Sequence, residues 1–422
     1  MTLAELSDLA HAFAFAWPFV MSYVWMGGAL LYWLFRERGK PGPEEPPALD
    51  DYPKAAVIVP CHNEELNIVE TLEQLDRLSY PNYEIIAVND GSSDRTADLI
   101  DRMALERPRI RAVHLEQNQG KAAAMRTATL MTEAEYLVCI DADALLHRHA
   151  VTWLVRSLML HPRIGGVTGN PRIRNRSTVL ARLQTGEFSS IIGLIKRAQS
   201  VYGRIFTVSG VVCAFRKRAL ADVGYWGTGM LTDDVDVSWR LQLNNWRIRF
   251  EPRALCWTLM PGTLRGLWRQ RLRWAAGGAQ IAISHFPDLF RPRGLRMLPV
   301  FVEYLLGVIW SYTMLVLCVL WLVSWLPGLE PTEARRALFG DWGFALGMTF
   351  LIQATVAVGL ERRTEPGIER TLYWIVWYPL VFWVLNAATV VVGLPKGIRA
   401  LGRSHARWAS PDRGVHQLED GR

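Results

Sequence analysis

The chain has 422 residues, 50% of them apolar and 21% charged, and its formal net charge at pH 7 is +7. This length predicts at least two structural units with a sizeable core. The positive charge clusters beside apolar stretches and in one basic helix, which favours anionic lipid and phosphate partners over nucleic acid. The five cysteines show no metal-ligand spacing and are predicted to be core residues in a reducing compartment.

Four uncharged stretches are each near or above the ~20 residues that a membrane-spanning helix needs. They are Phe13–Phe35, Tyr304–Leu329, Trp342–Leu360 and Thr371–Pro395. Trp and Tyr residues crowd their ends, as expected at a membrane surface and unlike the buried helices of a soluble protein. Glu5 and Asp8 precede the first stretch without any Lys or Arg, which argues against a cleaved signal peptide. The sequence therefore predicts an integral membrane protein.

The basic residues next to the spans predict the topology. Arg36, Arg38 and Lys40 follow the first span at once, so the N-terminus is expected outside and the next block in the cytoplasm. Four spans would also leave the C-terminus outside. The tail nevertheless carries a cluster typical of the cytoplasmic side: Lys396, Arg399, Arg403 and Arg407. Either one apolar segment is only interfacial, or the tail is an exception to the tendency.

These features divide the chain into six predicted regions. The N-terminal transmembrane helix covers residues 1–35, and a stiff Pro-rich linker covers 36–53. An α/β domain at 54–262 is large enough to hold the chemistry. An amphipathic interfacial region at 263–298, three transmembrane segments at 299–395 and a basic tail at 396–422 complete the chain.

Apolar runs and helical patterns alternate in the α/β domain, which predicts a parallel sheet with helices on both faces. The predicted strands are Ala55–Pro60, Tyr83–Asn89, Ile110–Leu115 and Tyr136–Ile140. The predicted helices are Glu64–Leu78, Ser93–Glu106 and Gly120–Met131. No Gly-x-Gly-x-x-Gly follows the first strand, which argues against a dinucleotide oxidoreductase. Ligands of such sheets bind beyond the carboxyl ends of the strands.

Acidic side chains stand at those strand ends. Glu64 follows the first strand, and Asp90 lies on a Gly/Ser turn after the second, where a carboxylate could accept the imide hydrogen of uracil. Asp141 and Asp143 follow the fourth strand and suit Mg²⁺ or Mn²⁺ bridging a diphosphate. The alternatives are a helix cap for Asp90 and a solvated turn or cap for the Asp-x-Asp pair.

Two further positions favour phosphate and proton transfer. Lys121 starts a predicted helix, where backbone N–H groups and an ammonium favour phosphate; the alternative is an exposed lysine. Asp234 lies in the first turn of the helix opened by Thr232-Asp-Asp-Val-Asp236. Group transfer to a hydroxyl needs a carboxylate that removes its proton, and Asp234 is the candidate base. The alternative is an acidic first helical turn.

Gln270, Arg273 and Trp274 lie in an amphipathic segment at Thr263–Phe286 with arginines at i, i+4 spacing. This pattern predicts a helix on the membrane surface. Arg273 could clamp a diphosphate, and Trp274 could present a flat apolar face to a sugar ring. The alternative is a basic interfacial helix without a part in chemistry.

The order of these motifs within one block between spans resembles family 2 glycosyltransferases, in particular the processive synthases of cellulose, chitin and hyaluronan. Within that group, several stretches are similar to the poly-β-1,6-N-acetyl-D-glucosamine synthase catalytic subunits of the PgaC or IcaA type: residues 57–65, 87–92, 167–174, 189–197, 206–211 and 406–414. The resemblance covers nearly the whole chain. A motif commonly written Thr-Glu-Asp reads Thr-Asp-Asp here, so Asp233 replaces a Glu.

The resemblance implies a cytoplasmic glycosyltransferase domain with the GT-A, Rossmann-like α/β fold, joined to an α-helical transmembrane region of the bacterial inner membrane. It implies UDP-N-acetylglucosamine as donor, Mg²⁺ or Mn²⁺ as cofactor, export of the growing polymer, a small PgaD-type partner subunit and, in some relatives, control by cyclic di-GMP.

The family's functional residues map onto this sequence position by position. Asp90 would hold uridine, Asp141 and Asp143 the metal and diphosphate, and Asp234 would be the base. The diphosphate and acceptor clamp would be Gln270, Arg273 and Trp274. Glu64 and Lys121 complete the predicted substrate site.

Other interpretations stay open on sequence alone. The same donor site could serve another β-linked polysaccharide, or the transfer of one sugar to a polyprenyl phosphate. A membrane scaffold with a degenerate nucleotide-binding domain is the non-enzyme alternative. The carboxylates of Asp90, Asp143 and Asp234 argue against that scaffold.

Overall fold

A computed structural model describes residues 3–323, 341–378 and 382–402. Several sequence predictions therefore lie outside the described residues: the end of the second span at 324–329, the tail arginines Arg403 and Arg407, and the stretch 406–414.

Eight strands form one mixed sheet in the order β3-β2-β1-β4-β7-β6-β8-β5. Their bounds are Ala55–Cys61, Tyr83–Asp90, Ile110–Leu115, Tyr136–Ile140, Leu145–Leu146, Ile164–Ile173, Val212–Arg216 and Arg247–Thr258 for β1 to β8. The four strands predicted from the sequence, β1 to β4, are parallel to one another, as expected. Strand β7 runs antiparallel to both β4 and β6, so the parallel pattern ends there.

Helices cover both faces of this sheet. Those of the α/β domain are α2 Ile68–Asp76, α3 Thr96–Glu106, α4 Lys121–Leu130, α5 Ala150–Met159, α6 Val179–Glu187, α7 Gly193–Tyr202, α8 Lys217–Asp222 and α9 Asp233–Leu243. Alternate residues of β1 enter different cores: Val57 and Val59 pack with α2, α3 and α5, whereas Ala56 and Ile58 pack with α4 and α8. Because both faces of β1 are covered, the strand is a continuous apolar run in the sequence.

Two predicted helices begin later than the sequence pattern indicates. Helix α2 starts at Ile68 rather than at position 64, because the residues after β1 form a turn in which Glu64 N donates to Thr96 Oγ1 at 2.8 Å. Helix α3 starts at Thr96 rather than at position 93, and Asp94 accepts from Thr96 N at 3.0 Å. The Asp94 side chain bonds locally to the backbone at the start of α3, whereas at α2 the acceptor is the distant side chain of Thr96.

In the described part of the chain, three helices are long and apolar enough to cross a membrane, and they lie at Glu5–Glu37, Gly294–Val323 and Trp342–Glu361. The first consists of α1 (Leu3–Tyr32) and a π-helical turn at Trp33–Glu37. The other two contain α11 (Leu298–Val323) and α12 (Asp341–Glu361). The interfacial helix predicted between domain and membrane is α10, Leu264–Ser284.

The fourth predicted span, Thr371–Pro395, is described only in pieces. A 3₁₀ turn at Ile368–Thr371 leads into α13 (Leu372–Ile375), and α14 covers Val384–Arg399, with residues 379–381 outside the description. Helix α14 packs closely along α10: a Cβ at Gly393 would stand 2.7 Å from Ala275 Cβ. Gln280 Nε2 also donates to Ala400 O just after α14, at 2.9 Å.

A buried ion network joins the long apolar helices to the sheet. Glu361, at the end of α12, pairs with Arg172 of β6 and Arg197 of α7, and all three side chains are at most 1% exposed. Arg197 Nε also donates to Glu37 Oε1 at 2.7 Å, at the end of the first membrane helix. Thr364 Oγ1 accepts from Arg172 at 3.0 Å. The network fixes two spans to the domain.

Candidate active site

The carboxyl ends of β2 and β4 meet the start of α4 at one edge of the sheet. Lys121, the first residue of α4, pairs with Asp141 and donates to Gly210 O at 3.1 Å. Burial alone would lower the pKa of Lys121, but the negative charges of Asp141, Asp233 and Asp234 raise it above its ordinary value. The ammonium thus stays charged and lies where the sequence analysis predicts phosphate.

Asp90 is fully buried and organises the loop that leads into Lys121. Its Oδ1 accepts from Gln119 N and its Oδ2 accepts from Gly120 N, both at 2.8 Å. His62 Nδ1 lies 2.8 Å from Asp90 O, and its Nε2 lies 3.0 Å from Asn118 Nδ2. The carboxylate therefore holds the loop at Gln119 and Gly120 in this structure. Its predicted contact with uracil stays a prediction.

Glu64 follows β1 at this edge of the sheet. It is 2% exposed, and its Oε2 accepts from Asn67 Nδ2 at 3.4 Å. Together with the bond from Glu64 N to Thr96, this places Glu64 in the contact between the loops that follow β1 and β2.

Asp234 has the electrostatic setting of a general base. It stands in the first turn of α9, and its Oδ1 accepts from Val235 N at 3.0 Å. Burial and the neighbouring carboxylate of Asp233 raise the pKa of Asp234 to about 6, while Lys121 and Arg273 oppose this rise. A base whose pKa lies just below neutrality is ionised at pH 7.5 and can still accept a proton in the transition state.

The donor set at the end of β4 fits a divalent cation that is shared with a ligand. Asp141 is partly accessible and Asp143 is 5% exposed. Among the described residues, no group of three or more His, Cys, Asp or Glu side chains converges into a complete metal site. Two carboxylates leave room for diphosphate oxygens and waters, which is the usual way Mg²⁺ is held.

The Gln270-x-x-Arg273-Trp274 motif lies on α10, as predicted. Arg273 is exposed and close enough to Asp234 to lower its pKa. Trp274 is half-buried beside Phe188 and Met260. Gln270 Oε1 is buried without a hydrogen-bond partner among the residues that the structure describes, and Gln270 Nε2 lies 4.0 Å from Met260 Sδ. The motif thus contributes Arg273 to the site, and Gln270 Oε1 has no hydrogen-bond partner among the described residues.

Three buried charged residues near these positions are absent from the sequence predictions. Arg271 pairs with Glu187 of α6, and its guanidinium lies 4.3 Å from the centre of the Trp274 ring. Lys196 of α7 is 6% exposed and donates to Thr168 Oγ1 at 2.9 Å. Burial lowers the pKa of Lys196 to about 8, and Asp234 opposes this shift. Their sequence context does not distinguish them from the exposed charges of amphipathic helices.

The chain was compared with known proteins. The family model described as "Glycosyltransferase like family 2" matches residues 53–277. A relative from Staphylococcus epidermidis named poly-beta-1,6-N-acetyl-D-glucosamine synthase is 39% identical over 412 residues, which cover 96% of this chain and 99% of the relative. A protein of the same name from Staphylococcus aureus is 36% identical over 408 residues, which cover 96% and 98%.

A solved structure confirms the fold. A mannosyltransferase from Pyrobaculum calidifontis, in complex with GDP-Man and Mn²⁺, superposes with a TM-score of 0.57 at 21% identity and covers 92% of this chain and 99% of its own. The predicted GT-A fold is therefore confirmed, together with several apolar helices that could span a membrane.

Proposed function

The chain belongs to the family 2 glycosyltransferases, and we propose that it polymerises N-acetylglucosamine from UDP-N-acetylglucosamine into a β-1,6-linked polysaccharide. The support for the substrate is the likeness to named synthases along 96% of the chain, which includes the membrane helices as well as the catalytic domain. A glycosyltransferase that adds a single sugar to a lipid is not expected to resemble a polymer synthase over 96% of its length.

The observation that carries the mechanism is the position of Asp234, whose carboxylate lies against Gly210, the residue whose carbonyl accepts from Lys121. Asp234 removes the proton from the acceptor hydroxyl as that oxygen attacks the anomeric carbon of the donor. The bond between the anomeric carbon and the UDP oxygen breaks on the opposite face, so the configuration inverts. UDP leaves with the bonding electron pair, and the proton stays on Asp234 until water removes it.

The departing diphosphate gains negative charge, and the site supplies positive charge to meet it. Asp141 and Asp143 would hold a divalent cation, Mg²⁺ or Mn²⁺, which neutralises the diphosphate when bound. Lys121 and Arg273 both lower the pKa of Asp234 and supply further cationic charge. Asp90 keeps the Gln119–Gly120 amides in place for the phosphates and would hold the uracil ring.

The acceptor end of the nascent chain would lie on α10. Trp274 offers an aromatic face to the terminal sugar, and Gln270 offers the buried Oε1 that has no described partner. Sugar hydroxyls can donate to such an acceptor, and an unmet buried acceptor is costly in a native protein.

We place the protein in the bacterial inner membrane with the catalytic domain in the cytoplasm. Three spans, beginning outside, return the chain to the cytoplasm after Glu361. We propose that this last helix is interfacial and that the basic tail stays inside; the close packing of α14 along α10 and the positive-inside tendency support this. A C-terminal alkaline phosphatase fusion should be inactive and a C-terminal fluorescent protein bright; the reverse result would support four spans.

A small partner subunit of the PgaD type, control by cyclic di-GMP and export of the polymer through the spans follow from the family resemblance. Co-expression of the partner in the assay below tests the first of these, because polymer made only in its presence would establish the dependence.

The decisive test is incorporation of radiolabelled UDP-N-acetylglucosamine into high-molecular-weight product by membranes that contain this chain. The assay is run with and without Mg²⁺, Mn²⁺ and the partner. Metal-dependent polymer that a β-1,6-specific hydrolase degrades is the expected product. Acceptance of another UDP-sugar instead would keep the mechanism and overturn the substrate.

A further inference from the structure

Lys196 is a buried lysine that is connected through hydrogen bonds to the backbone next to the proposed base, Asp234. Lys196 is 6% exposed, and the one hydrogen bond of its ammonium in the described part of the chain goes to Thr168 Oγ1 at 2.9 Å. Only Asp234 and the thiol of Cys213 act on its charge, and neither forms a salt bridge with it within the described ranges. A buried ammonium without a paired carboxylate is costly, so its position requires a reason.

Thr168 connects this lysine to the loop that precedes β7. Its Oγ1 also accepts from Ser209 N at 2.9 Å. The next residue is Gly210, whose carbonyl accepts from Lys121 at 3.1 Å. A Cβ at Gly210 would stand only 3.3 Å from Asp234 Oδ2, so the carboxylate lies against this backbone. The Ser209–Gly210 segment is thus fixed by one lysine on each side, and the base lies on it.

The charges around Asp234 come from five elements. Its neighbours are Asp233 on the same helix, Lys121 at the start of α4, Arg273 on α10, Lys196 on α7 and Cys213 on β7. Arg273 is exposed, whereas Lys196 is closed off from solvent.

We propose that Lys196 is a positioning residue for the transfer reaction: through Thr168 it holds the Ser209–Gly210 segment against Asp234, and its positive charge stabilises the ionised carboxylate. This inference rests on the proposed role of Asp234 as the base. It assigns no contact between Lys196 and the substrate.

The test compares Lys196→Met with Lys217→Met in the purified full-length protein. Lys217 is a matched control because its ammonium also bonds to a single oxygen, the carbonyl of Thr132, at the other end of β7. UDP release is measured against donor concentration and pH. For Lys196→Met we expect kcat to fall ~10-fold to 100-fold with the donor KM within about twofold. The acid limb of the kcat profile should move up by ~0.5 to 1 pH unit.

A kcat and an acid limb like those of Lys217→Met would overturn the proposal. Thr168→Val provides a second variant, since it keeps the volume and removes the shared acceptor, while Thr168→Ser should restore activity. If Lys196→Met fails to fold, this Val/Ser pair decides: equal kcat values for the two variants would also overturn the proposal.

Hydrogen exchange separates this inference from the proposed function. The amides of Ser209 and Gly210 should exchange faster in Lys196→Met and Thr168→Val than in the wild type or Lys217→Met. If the wild type uses a different sugar nucleotide, the substrate proposal fails and the kinetic test runs with that donor. If no donor is turned over, unchanged exchange at these two amides refutes the role of Lys196.

Discussion

Replacing Asp234 by Asn should abolish transfer and make the protein more stable. The pKa of Asp234 is about 6 in the folded protein and 3.8 in an unperturbed aspartate. Because the folded-state pKa is raised, the protonated carboxyl is favoured on folding, and this stabilisation is present below pH 4 and lost as pH rises through 6. At pH 7.5 the ionised carboxylate therefore destabilises the fold, by on the order of 2 kcal/mol after allowance for its partial exposure. Asn removes that charge and retains the shape.

The assay for this prediction has two parts. Transfer by Asp234→Asn should fall at least ~100-fold, the usual contribution of a general base, while UDP binding is retained. Thermal unfolding in detergent at pH 7.5 should shift upward by roughly 2–6 °C, and the shift should shrink at pH 5, where the wild-type residue is already protonated. A variant that is less stable than the wild type at pH 7.5, or that still polymerises, would refute the assignment of Asp234 as a strained, ionised base.

Other consequences follow from the same structure. The wild-type kcat should drop about 10-fold between pH 7.5 and pH 5, as expected for a base with a pKa near 6, and an unchanged rate in UDP-release assays would exclude this base. Glu361→Gln removes the carboxylate that the buried guanidiniums of Arg172 and Arg197 share, and it should lower the free energy of unfolding by ~3–5 kcal/mol, measured as a lower yield of folded protein. Glu106→Gln is the control: its carboxylate forms an exposed pair with Arg102, so the free energy of unfolding should hardly change. Gly277→Ala puts a Cβ 2.3 Å from Thr232 Oγ1, just before the base, and should lower kcat with less effect on donor KM; Gly307→Ala, which meets nothing within 4 Å, is its control.

The sequence predicts strands β1 to β4 well because each can be recognised from its own segment of the chain. Strands β3 and β4 have the predicted bounds, and β1 and β2 each extend one residue further. Their apolar runs are continuous, since both faces are covered, and each crossover helix is short. The pairing of β6 with β7 and β8 joins distant parts of the chain, and no periodicity within a single segment indicates it.

The site residues also fall into two groups, those that the local sequence predicts and those that it does not. Asp90, Lys121 and Asp141 lie together, because each ends or follows a strand or starts a helix at one edge of the sheet. Lys196 and Glu361 could not be found in this way. A lysine in the sequence Gly-Leu-Ile-Lys-Arg resembles an exposed residue of an amphipathic helix, and a glutamate at the end of an apolar span resembles an ordinary membrane flank.

Lys196 and Glu361 differ from ordinary surface charges because they are buried. Their burial arises from contacts between the membrane helices and the domain. Helix α7 carries both Lys196, which faces the base, and Arg197, which pairs with Glu37 and Glu361 at the ends of two spans. Adjacent residues on a helix point about 100° apart, so one helix can direct one cation to the active site and the next to the membrane helices. A displacement of either span would therefore reach the base through a single rigid element. This arrangement gives a physical reason for joining the catalytic domain and the membrane helices in one chain.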